Sequence, residues 1–330
     1  MSGAESRAGR GRWLSRLLLA VGVAILVALI VRSGPARLLD LAARADKTLW
    51  LGGVAFYIGS MVLRALKWHR LLGVVRPVSL SRTVGVFLVN AVAGNLTPFR
   101  SGEAVGPVLF QRHLGVPLGD GFSVIVVDRV LELLAMLVYL AAAFLYLDTH
   151  LTLEPLFRAA VFVAVAGTLV ITAGLLAVLA WEAPGRWLVQ AISRIPALQR
   201  RAPAIRAELE RFYAFRRRPG VFGALPVLAG LTLASWAVQF GALWCVAASM
   251  TDVGYLATAA GQSISIPASL LSFIPAGIGV GAASFQYVME LLGYAPDPMV
   301  GAALLGKVLF LGLIIALGWV GSAILDRPQR

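Results

Sequence analysis

Cysteine occurs once, at position 245, and histidine three times, at 69, 113 and 150. A single thiol closes no disulfide within the chain and builds no thiolate metal cluster. The histidines are scattered over flanks and loops, and they form neither a metal-ligating set nor a histidine-based triad. No metal and no cofactor is therefore expected. Charge is scarce as well, since only 14 % of the 330 residues are Asp, Glu, Lys or Arg. A soluble domain carries about 25 %. Nucleotide motifs are missing too: GIGVGAA at 277–283 follows no strand and lacks the GxGxxG spacing. ATP is thus not expected to drive this chain.

What is present is apolar. Hydrophobic residues make up 59 % of the sequence, with a mean hydropathy of +0.84. They come in runs near or above the roughly 20 residues that cross a bilayer. The expected class is an all-α polytopic integral membrane protein with about six full spans and two re-entrant helical hairpins. The spans are placed at 13–31, 48–66, 121–147, 159–181, 221–249 and 299–325. The first follows a basic stretch without a small-residue cleavage site and is expected to be retained.

Two apolar stretches are interrupted. The run at 83–96 has 14 residues and reaches about 21 Å, short of the roughly 30 Å hydrocarbon core. NLTPFRSGEAVG, 95–106, ends it with a proline, two glycines, an arginine and a glutamate. The stretch 255–292 is broken by Pro267 and then by PAGIGVG at 275–281. Such breaks are tolerated at membrane depth only where protein or a wet cavity shields them. Span–hairpin–span thus occurs twice, at 48–147 and 221–325, which is the sequence mark of an inverted repeat with a binding site where the breaks meet.

The net charge of +13 raises the question of nucleic acid, but its distribution answers it. Residues 182–220 hold nine arginines against three glutamates. Clustered arginine beside spans marks a cytoplasmic loop facing anionic lipid. With both termini inside, residues 64–82 also fall inside, carrying Arg64, Lys67, Arg70, Arg76 and Arg82. The segment 32–47 falls outside despite four basic residues. No nucleic-acid partner is expected.

Arg100 and Glu103 lie three apart in the first break, either at a hairpin tip among headgroups or facing a polar cavity. Asp128, Arg129 and Glu132 begin about seven residues into an apolar run. The i, i+4 spacing puts Asp128 and Glu132 on one helix face. An uncompensated charge there costs at least about 2.5–3.5 kcal/mol, so pairing with Arg100, Glu103 or a headgroup is expected. Lys307, eight residues into the last span, either snorkels or contacts phosphate. Asn90, Asn95, Gln262, Ser263 and Ser265 are polar positions in the interrupted segments, each serving either a helix–helix hydrogen bond or a ligand. In the second break the glycines allow tight turns and backbone approach to an anion.

RALKWHRLL (64–72), NLTPFRSGEA (95–104), VDRVLELLAM (127–136) and IPAGIGVG (274–281) resemble, in order, the sequence blocks of the lysylphosphatidylglycerol synthase transmembrane, flippase-like family. The similarity covers nearly the whole chain, read as one flippase-like domain over 1–330. It departs at Gly106, Ala276 and Ala282, where the family more often has arginine, glycine and an acid. The resemblance implies a lipid flippase of the bacterial inner membrane, multi-pass, similar to the flippase part of the multiple-peptide-resistance proteins. Its cargo would be aminoacyl-phosphatidylglycerol, a polyprenyl-linked lipid or a hopanoid. The substrate-binding set it implies is Arg100, Glu103, Asp128, Arg129, Glu132, Asn95, Pro98, Gly102, Pro275, Gly277, Gly279 and Lys307. No aminoacyl-transfer domain is visible within the 330 residues. The chain is expected to transport rather than catalyse; an integral-membrane transferase and a non-transporting partner of a lipid-synthesis enzyme are the alternatives. Expected partners are a lipid substrate, anionic lipid at the basic loop, and either a second copy of the chain or a lipid-synthesis enzyme.

Overall fold

The computed structural model describes residues 31, 35–96, 98–151, 155–194, 199, 202–218, 220–271 and 279–327. Among the described residues, four helices are long and apolar enough to cross a membrane: α2 (Lys47–Gly73), α5 (Leu118–His150), α9 (Val221–Ala248) and α12 (Pro296–Leu325). At 1.5 Å per residue they extend about 40–50 Å, beyond the hydrocarbon core. The expected first span, 13–31, lies almost wholly outside the described residues. The expected span at 159–181 falls in helix α6 (Pro155–Ala180).

Helix α2 is preceded by a short amphipathic helix, α1 (Pro35–Arg44), whose Leu41 packs on Val300 and Leu304 of α12. Asp46 caps α2, its carboxylate accepting from the Thr48 N–H at 2.7 Å. The Asp46 N–H donates to the Ser249 carbonyl, and Trp50 Nε1 donates to Ser249 Oγ. The start of α2 is thereby tied to the end of α9. The end of α2 corrects the sequence reading, because the helix runs on to Gly73 instead of stopping near 66. Arg64 and Lys67 therefore belong to its buried face rather than to a cytoplasmic loop.

The first interrupted segment is α3 (Leu80–Leu96), a 3-10 turn (Pro98–Val105) and α4 (Gly106–Leu114). Pro107 opens α4, where its missing N–H costs nothing, and Gly115 closes it at φ +65°. The second is α10 (Tyr255–Leu271) and α11 (Val280–Leu291), with Gly279 at φ +86° before α11. At 17 residues, α3 and α10 each extend about 26 Å, less than the core thickness.

The packing pairs the two halves. Helix α2 lies along α9, α3 packs on α12, and α10 packs on α5. Small residues permit the close crossings: a Cβ on Gly53 would meet the Ala242 carbonyl at 3.0 Å. Around them lies a core in which Trp68 sits edge-on to Phe87 and Phe110. Tyr57 stacks on Phe310 at 4.7 Å.

Helices α7 (Glu182–Ser193) and α8 (Ala202–Arg216) carry much of the basic stretch. Part of its charge is used internally, since Arg186 and Arg217 pair with Glu182 and Arg218 pairs with Asp120 at the start of α5.

The α3–α12 crossing offers a direct test. A Cβ on Gly321 would lie 2.9 Å from both the Gly85 carbonyl and Leu88 Cβ, whereas one on Gly312 meets nothing within 4 Å. Gly321→Leu is expected to cost about 1–3 kcal/mol through overpacking. Gly312→Leu should stay within about 0.5 kcal/mol of wild type. Thermal unfolding of both variants in detergent measures the difference.

Candidate functional site

Helix α2 presents Arg64, Lys67, Trp68 and Leu71 on one buried face, at the i, i+3, i+4, i+7 spacing of an inward stripe. Helix α5 faces it with Asp128 and Glu132, which do share one face as their spacing predicts. The Lys67 ammonium donates to Glu132 Oε1 at 2.5 Å and sits 2.8 Å from Asp128 Oδ1. Lys67 and Asp128 are each 1 % exposed, so this is a dry ion-pair core. Two carboxylates on one ammonium offset much of the desolvation that a lone buried charge would suffer.

The pairs extend from this core in both directions. Toward the first break, Arg129 Nη2 donates to Asp128 Oδ2 at 2.7 Å, and Arg129 Nη1 lies 3.0 Å from Glu103 Oε2. Toward α9, Trp236 Nε1 donates to Glu132 Oε2 at 2.8 Å. The Arg64 guanidinium lies over the Trp236 ring, 4.8 Å from its centroid, and donates to Gln239 Oε1 at 2.7 Å. A continuous relay thus runs Glu103, Arg129, Asp128, Lys67, Glu132, Trp236, Arg64, Gln239. Its three basic and three acidic side chains cancel in formal charge.

The surrounding helices fix these positions. Tyr139 of α5 and Tyr255 and Gln262 of α10 donate to the Leu233, Ala237 and Phe240 carbonyls of α9, which hold the α9 backbone behind Trp236 and Gln239. Glu103 is seated on Gly94, where a Cβ would come within 2.6 Å of its Cγ.

The relay ends differ in exposure. At the Glu103 end, Arg129 is 36 % exposed and Glu103 12 %. A cavity of about 30 Å³ touches both, together with Asn90 and Asn95. Among the described residues, Asn90 Oδ1, Asp128 Oδ1 and the Nε groups of Arg64 and Arg129 are buried without a hydrogen-bond partner. At the Gln239 end a second cavity, of about 200 Å³, opens between α2, α9, α10, α11 and α12. Asn95, Gln239, Gln262, Ser265 and Lys307 line it, beside Gly279 and Ala282.

Of the residues anticipated from sequence, Glu103, Asp128, Arg129, Glu132 and Asn95 come together around the first cavity. Asn95 also lines the second, with Lys307 and Gly279. Gly102 lies in the 3-10 turn beside Glu103. Pro98 and Arg100 are in the same turn, but their side chains lie outside what is described, as do Pro275 and Gly277 entirely. The anticipated link between Arg100 and the α5 acids therefore lies outside the described residues. Arg129 is already held by two carboxylates. Lys67, Arg64, Trp236 and Gln239 were not anticipated; the available signal was Arg64 and Lys67 at i, i+3 beside Trp68. Among the described residues no group of histidine, cysteine or acidic side chains is arranged to hold a metal.

Residues 17–318 match the profile described as the lysylphosphatidylglycerol synthase TM region. A UPF0104 membrane protein of Methanothermobacter thermautotrophicus is 25 % identical over 325 residues, covering 92 % of this chain and 91 % of that protein. A second UPF0104 membrane protein, from Pyrococcus horikoshii, is 28 % identical over 134 residues, 39 % of this chain and 40 % of its own. Both relatives are archaeal.

The indole N–H of Trp236 is a buried donor to Glu132. Trp236→Phe keeps a ring under Arg64 but leaves that carboxylate oxygen unmet, at about 1–3 kcal/mol. The expected result is a lower unfolding temperature in detergent than for wild type, and an unchanged midpoint would remove Trp236 from the relay.

Proposed function

The chain belongs to the lysylphosphatidylglycerol synthase TM region family, a multi-pass membrane family linked to lipid flipping in proteins of the multiple-peptide-resistance type, and from this we propose that it moves a headgroup-bearing lipid across the cytoplasmic membrane. The observation that carries the proposal is the relay: a charge-cancelled row of largely buried side chains joining the first break to a polar cavity lined by Gly279 and Ala282. Intramembrane charges are costly and ordinarily face a polar pathway.

The relay divides by burial. Parting Lys67 from Asp128 and Glu132 would strand charges in a dry core, so that section stays closed. The Glu103–Arg129 contact is partly wet, and an ion pair of that kind is worth little net. A lipid headgroup exchanges with it there, its anionic oxygens taking Arg129 and any ammonium taking Glu103. Lys307 and the amides of Gln239 and Gln262 offer a second set of contacts in the larger cavity. Aminoacyl-phosphatidylglycerol and phosphate-bearing polyprenyl-linked lipids supply such oxygens, whereas a hopanoid would engage through hydroxyl or ammonium groups alone.

The segments 48–147 and 221–325 act as inverted repeats with re-entrant hairpins at α3–α4 and α10–α11. In support, exchanging the two halves maps α2 onto α9 and turns the α3–α12 packing into the α10–α5 packing. Such repeats rock about a site near the midplane. With the termini cytoplasmic, α7 and α8 fall on the cytoplasmic face. The transferase alternative would use Glu103 or Asp128 as base, and both are engaged in ion pairs, Glu103 with Arg129 and Asp128 with Lys67 and Arg129.

Dithionite quenching of fluorescent lipid in proteoliposomes tests this. Glu103→Gln and Arg129→Gln are each expected to slow flipping at least about tenfold, the cost of one charge-assisted contact, with membrane insertion retained. Lys307→Ala should also slow it. Wild-type rates in all three would refute the site.

A further inference from the structure

The ends of four helices meet at one face: the C-termini of α2, α4 and α12 and the N-terminus of α3. Between them lies an open pocket of about 770 Å³, whose wall includes Arg76, Arg82, Arg112, His113 and Arg327. Among the described residues none of the four guanidinium groups is ion-paired with a carboxylate.

Two of the four are held in place without being neutralised. Arg76 Nη1 donates to the Gly115 carbonyl at 2.8 Å, and Arg82 donates to the His113 and Arg327 carbonyls. Gly115 takes a φ of +65°, and a Cβ there would lie 2.7 Å from Arg76 Nη1 and displace the fork. Backbone oxygens thus orient the forks while their charge remains for a ligand. Burial first, then Arg112 and Arg82, push the His113 imidazole below its ordinary pKa, with Asp326 opposing them. Four like charges gathered around one hollow repel one another, and a bound anion relieves that repulsion. Guanidinium forks suit a phosphoryl group, whose oxygens they meet two at a time.

The border of the pocket indicates where the phosphoryl group comes from. Ile324 stands in its wall, and Trp319 and Val320 are exposed one to two turns up α12, with Leu80 exposed at the start of α3. An interfacial tryptophan beside basic side chains marks headgroup depth. We propose that this pocket binds the phosphodiester of a membrane lipid, whose acyl chains lie on the apolar flank of α12 and α3. The site is separate from the relay and its occupancy does not require transport.

Native mass spectrometry of the full chain in nanodiscs of phosphatidylcholine with a minor share of phosphatidylglycerol tests it. Wild type is expected to retain phosphatidylglycerol preferentially. Arg112→Gln with Arg327→Gln, neither of which makes a side-chain hydrogen bond among the described residues, should lower that preference about fivefold per guanidinium removed. Their unfolding temperature should be unchanged, and Arg112→Lys should keep most of the preference. A parallel titration follows the His113 ring by NMR in pure phosphatidylcholine as inorganic phosphate is added. A rise in the His113 pKa there, without phosphatidylglycerol enrichment, would overturn the lipid source and assign the pocket to a soluble phosphate. Neither enrichment nor a His113 response would overturn the site. Because flipping is not read, these outcomes stand apart from the fate of the transport proposal.

Discussion

Lys67 is the constraint on which the arrangement depends. An ammonium that is 1 % exposed in the middle of a greasy helix bundle has to be met by carboxylates. The two that meet it come from one face of α5. That requirement fixes the facing sides of α2 and α5, and through Glu132 it positions Trp236 on α9. Hydrophobic packing alone does little to choose rotations here, because lipid is as apolar as the helix surfaces. Buried polar groups that must find one another supply the choice.

The same physics separates structure from function along one row of residues. Where the relay is dry, an opened pair would leave charges stranded, and the helices are locked together. Where it reaches Arg129 and Glu103, partial exposure lowers the cost of exchange, and the proposed headgroup contact falls there. Glycines at the crossings complete the design. Gly94 makes room for Glu103, and Gly85 with Gly321 lets α3 lie directly on α12. The segment α3–α4, which carries Glu103, is thereby braced against α12.

Much of this was legible in the sequence. Asp128 and Glu132 at i, i+4 in an apolar run announce a shared partner, and the break at 98–105 announces a turn that brings Glu103 near them. The family blocks point to the same positions. What stayed hidden was the partner itself. Counting basic residues by side of the membrane credits Arg64 and Lys67 to a loop, because that rule reads the sign of a charge and not the direction of a side chain. Only the continuation of α2 to Gly73 turns them inward. Trp236 and Gln239 carry no sequence signal at all, since an aromatic and an amide in an apolar span are indistinguishable from ordinary packing residues.

The division between a locked core and an exchangeable end is measured most directly by two double-mutant cycles in thermal unfolding, run in the same detergent. One pairs Lys67→Met with Glu132→Gln, and the other pairs Glu103→Gln with Arg129→Gln. The account predicts a coupling of about 3 kcal/mol or more for the first pair, as expected when one partner of a buried ion pair is stranded. It predicts at most about 1 kcal/mol for the second. Equal couplings, or a larger one at Glu103–Arg129, would contradict it.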